Sequence, residues 1–486
     1  NTTGASNTGL GRQALFNNTT AGSNTGVGYQ ALLANTTGTQ NTAVGANAGD
    51  ALTTGQYNTA VGYQALSTED TGTANVAIGR NALLALNFNG NGYNTAVGYQ
   101  AGVSITTGTE HTLIGAHAGD AITTAAENVA IGLHAATNTT TGGRNIAIGD
   151  SALHDNTTGA NNVAIGWQAH YQNEAGSNNT VMGWQAMFNG NGATGSVAIG
   201  REALEDVTGN YNTAIGYQAG LETTSGTLNV AVGVGALSSS SAGGTGDSNV
   251  CIGAYAGARI IGGERNVFIG STAGDQVTSG DDNIFIGSTA GSHAVNHTTG
   301  NNNIVIGSLA DTSAATVAYN IALGYNVSCI GQNNFTFGAN ANDSNIAFGA
   351  TSITAPSDER YKEEITTSTA GLSFINDLRP VTFKWKKEKD VPSDHKAYVA
   401  DSDTRVMGRD EKIQHGFVAQ EVKAVIDNHS EIKDGFEMWQ KEGEADGDGR
   451  QRLAPSELVP MLTKAIQELS AQVTALTARI TELEGE

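Results

Sequence analysis

The feature that most restricts this chain is a five-residue unit, Asn-x-x-φ-Gly with φ apolar, which recurs 21 times between Asn7 and Asn345. Asn41-Thr42-Ala43-Val44-Gly45, Asn75-Val76-Ala77-Ile78-Gly79 and Asn145-Ile146-Ala147-Ile148-Gly149 are typical. Only His111 and Ser196 replace the leading Asn, the fifth residue is always Gly, and position eight is Ala in 19 copies. Most copies lie 17 residues apart; a few spacings are 16, 19 or 20, and the last two shrink to 14 and 11. A fixed period of this size marks a stacked architecture. No unit buries its apolar face alone, and neighbours share one core.

The Thr-Ala-Val type of segment is short, β-branched and bounded by Asn and Gly, so it reads as a strand. Alternation along a strand places positions two and four on one face. Their apolar and β-branched character assigns that face to the core. The invariant Gly calls for a positive φ or a close backbone approach. Ala at position eight suggests a second short strand, packed too tightly for larger side chains. The intervening Thr-Thr-Gly and Asn-Gly-Asn-Gly stretches are turn chemistry. One turn of a β-solenoid per unit meets all these demands, and 21 coils at about 4.8 Å each make a rod about 100 Å long.

The repeat stops where composition changes. All five prolines (Pro356, Pro380, Pro392, Pro455, Pro460) and every lysine, from Lys362 on, follow residue 355. Residues 1–355 form the expected repeat rod, 356–457 an ordinary globular α+β domain, and 458–486 a terminal helix. The 64 glycines lack a Gly-X-Y period, which excludes collagen. No apolar run reaches the roughly 18 residues of a membrane span, so membrane insertion is not expected. A net charge of −22 argues against nucleic-acid phosphates and anionic lipid as partners. The first residue is Asn, with no signal-peptide pattern after it, so Asn1 is expected to be a cut end joined to further fibre or tail.

Several patterns invite a functional reading that the repeat explains better. Asn-x-Thr triplets such as Asn18-Thr19-Thr20 match glycosylation sequons but are turn residues here. Tyr29, Tyr63, Tyr99, Trp167, Trp184 and Tyr217 all follow the repeat Gly. They suit sugar stacking, and suit a stacked shield or chain interface better. His117 and His134 sit one period apart, yet no metal is expected; Cys251 reads as a packed free thiol. The acidic stretches at Asp401–Thr404 and Glu442–Gly449 lack calcium-loop spacing. No cofactor is expected.

The repeats resemble the head repeats of YadA-type trimeric autotransporter adhesins. That resemblance implies a left-handed parallel β-roll with three chains side by side, a homotrimer. The second region contains Ser357-Asp358-Glu359-Arg360-Tyr361-Lys362, Leu378-Arg379-Pro380 and His415-Gly416-Phe417-Val418-Ala419-Gln420. It resembles the intramolecular chaperone domain of phage tail spikes and fibres of the endosialidase type. This implies a domain that trimerises, drives folding of the preceding fibre and then cuts itself off. Ser357 is then the nucleophile, Lys362 its base and His415 a supporting residue, with the cut between Pro356 and Ser357. A Ser hydroxyl needs such a base, and Lys serves as one only when neutral; Arg360 is a candidate for the nearby cation that lowers its pKa.

At the end, Leu462, Ile466, Leu469, Val473, Leu476, Ile480 and Leu483 recur at alternating spacings of four and three. That is a heptad seam. The reading that results is a mostly β trimeric fibre of a virion, attaching to a host-surface receptor that includes glycan among its candidates. A bacterial surface or secreted adhesin with the same assembly domain is the alternative, and a non-cleaving structural fibre the second. A sugar-degrading spike ranks low, because Asp155, Glu174 and Asp206 are scattered through variable loops.

Overall fold

The computed structural model describes residues 2–239, 243–340, 342–350, 362–393, 395, 397–406, 412–433, 436–441 and 451–485. The chain divides into two compact units, Asn1–Pro356 and Ser357–Glu486.

The first unit is a parallel β-solenoid. Each repeat supplies one three-residue strand, from β1 (Thr8–Leu10) and β2 (Thr25–Val27) to β18 (Ile304–Ile306). Longer strands follow: β19 (Ile321–Tyr325), β20 (Asn334–Ala339) and β21 (Asn342–Ala347). Consecutive strands from β1 to β20 pair in parallel with equivalent residues in register, as in Ala147 beside Ala164 and Ala164 beside Val181. The twenty-first repeat breaks the pattern. β21 pairs antiparallel with β20, Phe335 facing Ile346. A spacing of 11 residues is too short to travel round a coil, so the chain turns back as a hairpin.

The faces are the reverse of those expected. The middle strand residue is inside: Ala43, Ala60, Ala77 and Ala147 are fully or almost fully buried. Positions two and four point outward, and Val44, Ile78, Ile114, Ile146, Met182, Ile215 and Ile252 are 36–40% exposed. A coil of about 17 residues encloses so little volume that a methyl group fills the middle position. Larger aliphatics enter the middle position in only a few coils, as Leu113, Val181 and Val305 do; Leu113 fits because a Cβ on Gly102 or Gly119 would stand 2.8 or 3.1 Å from its methyl groups. Ala at position eight is buried too, as in Ala31 and Ala65, but it sits in a turn rather than a second strand.

The remaining interior is filled by two positions that compensate. Leu32 and Leu66 occupy position nine with a polar residue three later, Asn35 and Glu69. In the coil between them, position nine is Gly49 and position twelve is Leu52. A Cβ on Gly49 would stand 2.9 Å from Leu52 Cδ1 and 3.3 Å from Leu32 Cδ2. Farther along, Phe268 and Phe285 take the middle strand position, stacked at 5.0 Å. Gly274 makes space for the first, since a Cβ there would lie 2.7 Å from the Phe268 ring.

The repeat Gly answers two demands at once. Gly166 has φ +133°, and a Cβ on it would sit 2.5 Å from the Gly183 carbonyl oxygen of the next coil. The repeat Asn is a structural group that sequence reasoning treated only as a strand boundary. Asn145 is buried; its Oδ1 accepts from the Asn162 backbone N–H at 2.9 Å, and its Nδ2 donates to the Gly159 carbonyl at 2.9 Å. The same pair of bonds recurs at Asn24, Asn41 and Asn58. His111 reproduces both, Nδ1 accepting from Asn128 N–H at 3.1 Å and Nε2 donating to Ala125 carbonyl at 2.9 Å. Ser196 keeps only the acceptor, taking the Asn212 N–H at 3.2 Å.

The second unit is α+β. Helices α1 (Leu372–Asp377), α2 (Ala419–Asn428) and α3 (Leu458–Glu484) accompany two small antiparallel ladders. These are β22 (Val381–Phe383) with β23 (Gln414–Gly416) and β24 (Trp439–Lys441) with β25 (Gln451–Leu453). Phe374 of α1 centres the core, with Phe436 edge-on at 5.7 Å and Val422, Ile426, Met438 and Leu458 around it. Only the first turn of α3 joins that core, through Leu458 and Met461. Residues 469–485 are exposed on every side of the helix.

Candidate functional site

Ser357, Pro356 and Arg360 lie outside the described residues. Lys362 is described and exposed. His415 stands on β23 opposite Thr382 of β22, also exposed. Gly416 beside it lies close under Phe383, whose ring meets Trp385 edge-on at 5.4 Å. The β22–β23 ladder thus brings the His-Gly-Phe segment next to the strand that follows Leu378-Arg379-Pro380.

A second link ties the same two segments together. Arg379 donates through Nε to Glu421 Oε2 at 2.9 Å and through Nη2 to Oε1. The fork geometry fixes α2 against the start of β22. Arg379 also holds the Glu421 carboxyl below its ordinary range. Because both groups are exposed, the pair serves orientation more than stability. At the other end of α2, His429 lies between two carboxylates, Nε2 at 2.8 Å from Asp377 Oδ2 and Nδ1 at 2.9 Å from Glu431 Oε1. Those contacts, Glu431 first, raise its pKa.

The seven seam residues, Leu462, Ile466, Leu469, Val473, Leu476, Ile480 and Leu483, all lie on α3 and are 41–67% exposed. Leu372 N–H donates to Glu468 Oε2 at 2.8 Å, which anchors α1 on the helix just before the free stretch begins.

On the rod, residues that follow the repeat Gly form partial columns. Trp167 stacks on Trp184 at 5.3 Å, and Arg201 lies 4.5 Å over Trp184 and 5.7 Å over Tyr217. Arg80 lies within 6 Å of both Tyr63 and Tyr99. Stacking turns the faces of Trp167 and Trp184 toward each other. His117 and His134 are stacked at 5.0 Å, with His117 Nδ1 3.0 Å from Asp120 Oδ2. Among the described residues, no three His, Cys, Asp or Glu side chains are grouped to hold a metal ion. Nor is any described helix long and apolar enough to cross a membrane. Cys251 and Cys329 are free and buried.

Residues 357–431 match the family model described as the chaperone of endosialidase. No curated protein and no solved structure matches the chain. The protein is therefore a parallel β-solenoid rod followed by a region of the endosialidase-chaperone type.

Proposed function

We propose that the protein is one strand of a homotrimeric attachment fibre, assembled from its C-terminal end by the chaperone unit and then released from it by self-cleavage. One observation carries the reading. The rod exposes a continuous outward row of Val, Ile, Leu and Met at position four, and α3 exposes a continuous heptad seam. A single soluble chain rarely leaves contiguous apolar surface of that extent uncovered. Three copies cover both at once, the sheet faces against one another and the seams as a coiled coil.

Cleavage uses the neighbouring peptide bond as its own substrate. Ser357 Oγ attacks the Pro356 carbonyl carbon, and a neutral Lys362 amine accepts the hydroxyl proton. That proton passes to the departing Ser357 nitrogen, and water then hydrolyses the resulting ester. Chain connectivity supplies the proximity. His415, on the ladder beside Leu378-Arg379-Pro380, is assigned a supporting role. Once cut, the fibre cannot return to the chaperone, so an equilibrium fold becomes a kinetically trapped one. The proposed location is a virion tail fibre or spike, with a host-surface receptor as partner.

The test is expression of the intact chain beside Ser357→Ala. A fragment that begins at Ser357 by mass, present in the first and absent in the second, supports the chemistry; uncut chain in both removes it. Sedimentation decides assembly separately, because a monomer in both preparations refutes the trimer.

A further inference from the structure

Asp155 and Glu174 look unrelated in sequence, but the coil brings them to one groove. Its walls are two columns on successive coils. Ala121, Asn138, Asp155 and Gln172 form one, at position eleven of the unit; Thr140, Thr157, Glu174 and Asn191 form the other, at position thirteen. The groove is open, has a volume of about 480 Å³, and spans four to five coils. At about 4.8 Å per coil that is about 20 Å.

Its chemistry is selective. Carboxylates accept hydroxyl protons, and side-chain amides both donate and accept. Asp155 is held in place by Asn138 Nδ2 at 2.9 Å and His154 Nδ1 at 2.7 Å, which aim its carboxylate. Gln172 and Glu174 are exposed, and Asn191, whose Oδ1 accepts from the Glu174 N–H at 3.2 Å, is exposed as well and presents its amide Nδ2. Beside the first column, the rings of His154, Tyr171 and Phe188 stack at 4.7 and 5.2 Å. Tyr171 is stacked on both faces and none of the three rings lines the groove, so recognition falls to the polar groups. Two carboxylates and no described cation on the walls disfavour an anionic ligand.

We infer that this groove binds an extended, neutral, hydroxyl-rich glycan, laid along the rod with about one sugar per coil. A pyranose in an extended chain advances by about the spacing of stacked strands, so each successive sugar meets polar wall residues of the next coil. The inference deepens the attachment role proposed above. It needs neither cleavage nor the chaperone chemistry, so the two readings fail separately.

The test is calorimetric titration of the intact assembled protein with chito-oligosaccharides and cello-oligosaccharides of increasing length, and with hyaluronan oligosaccharides as an anionic comparator. Binding of at least one neutral series is expected, tightening with length until about four or five sugars, with none for hyaluronan. The double variant Gln172→Ala/Glu174→Ala changes two exposed side chains. It is expected to lose at least about tenfold in affinity with an unchanged melting temperature. No binding by either neutral series, tighter binding of hyaluronan, or equal binding by the double variant each overturns the assignment.

Discussion

Replacing a single repeat Asn tests whether the buried amide ladder holds the coils together. In Asn145→Ala, the Asn162 N–H loses its acceptor and the Gly159 carbonyl loses its donor, both at 2.9 Å in the native coil. A buried polar group left unpaired costs about 1–3 kcal/mol, so the variant loses about 2–6 kcal/mol. Two natural replacements calibrate the scale. Asn145→Ser regains one bond, as Ser196 does for Asn212 N–H, and loses about half as much. Asn145→His regains both, as His111 does, and stays near wild type at neutral pH. Urea unfolding gives the order, and native-state hydrogen exchange at Asn162 gives the local effect, because coupling in a solenoid is nearest-neighbour. Ala, Ser and His variants of equal stability would show that the ladder contributes nothing and that Asn is there for its turn propensity alone.

Three further outcomes follow from other parts of the chain. Burial lowers the pKa of His170 from 6.5 to about 4; the unfolded chain takes up a proton below about pH 6.5 and the folded chain only near 4. Stability from this group is complete above 6.5 and declines by about 3 kcal/mol per chain as pH falls to 4. His170→Leu, the residue type found at Leu153 one coil earlier, should flatten the acid limb of a stability–pH profile, and an unchanged limb rejects this origin. Gly166→Ala meets both a positive φ and the Gly183 carbonyl, so a cost above about 1–3 kcal/mol is expected; a melting temperature like that of wild type contradicts it. Ile466→Asp with Val473→Asp charges the seam and forfeits about 2 kcal/mol per buried side chain, so sedimentation should show dissociated chains, and an intact trimer means the seam is dispensable.

The strand and its spacing were legible because Gly closes every copy and Asn opens all but two. Which face lay inside was not. Pattern reading equates apolar with buried, and a one-residue change in that assignment turns every side chain over. Ala43 and Ala147 carry the decisive information, since a recurrent Ala between larger aliphatics marks the tightly packed inward position. The Asn ladder was hidden for another reason. Its bonds join residues 14 and 17 apart, and a partner that exists only after stacking leaves no local trace. His111 was the available clue, because a His in the place of Asn preserves a donor and an acceptor rather than a turn. The groove of Asp155 and Glu174 was likewise invisible until the coil closed. Of the second unit, the order of segments was readable, and the β22–β23 ladder and the Arg379–Glu421 fork explain how those segments meet.

If three chains assemble as proposed above, the outward face sets the direction in which they do so. At position two, the first four repeats present Thr8, Thr25, Thr42 and Thr59, whereas the last present Val250, Val267, Ile284, Ile304, Ile321 and Phe335. In the proposed trimer, contact between chains would therefore remove more apolar surface from water per coil in the C-terminal repeats of the rod. Near-identical coils also penalise a slipped register only weakly, so the first contacts must be both strong and correctly aligned. On the proposed reading a C-terminal clamp meets both needs, and the aliphatic coils would then propagate the alignment before the Thr-bearing coils join. Replacing Val267, Ile284 and Ile304 by Thr removes about 1 kcal/mol or more per side chain from that start. It should slow trimer formation in a refolding time course far more than the same change at Val76, Val129 and Ile146. Equal slowing by both triple variants would mean that chains associate all along the rod at once, and the zippering order would have to be abandoned.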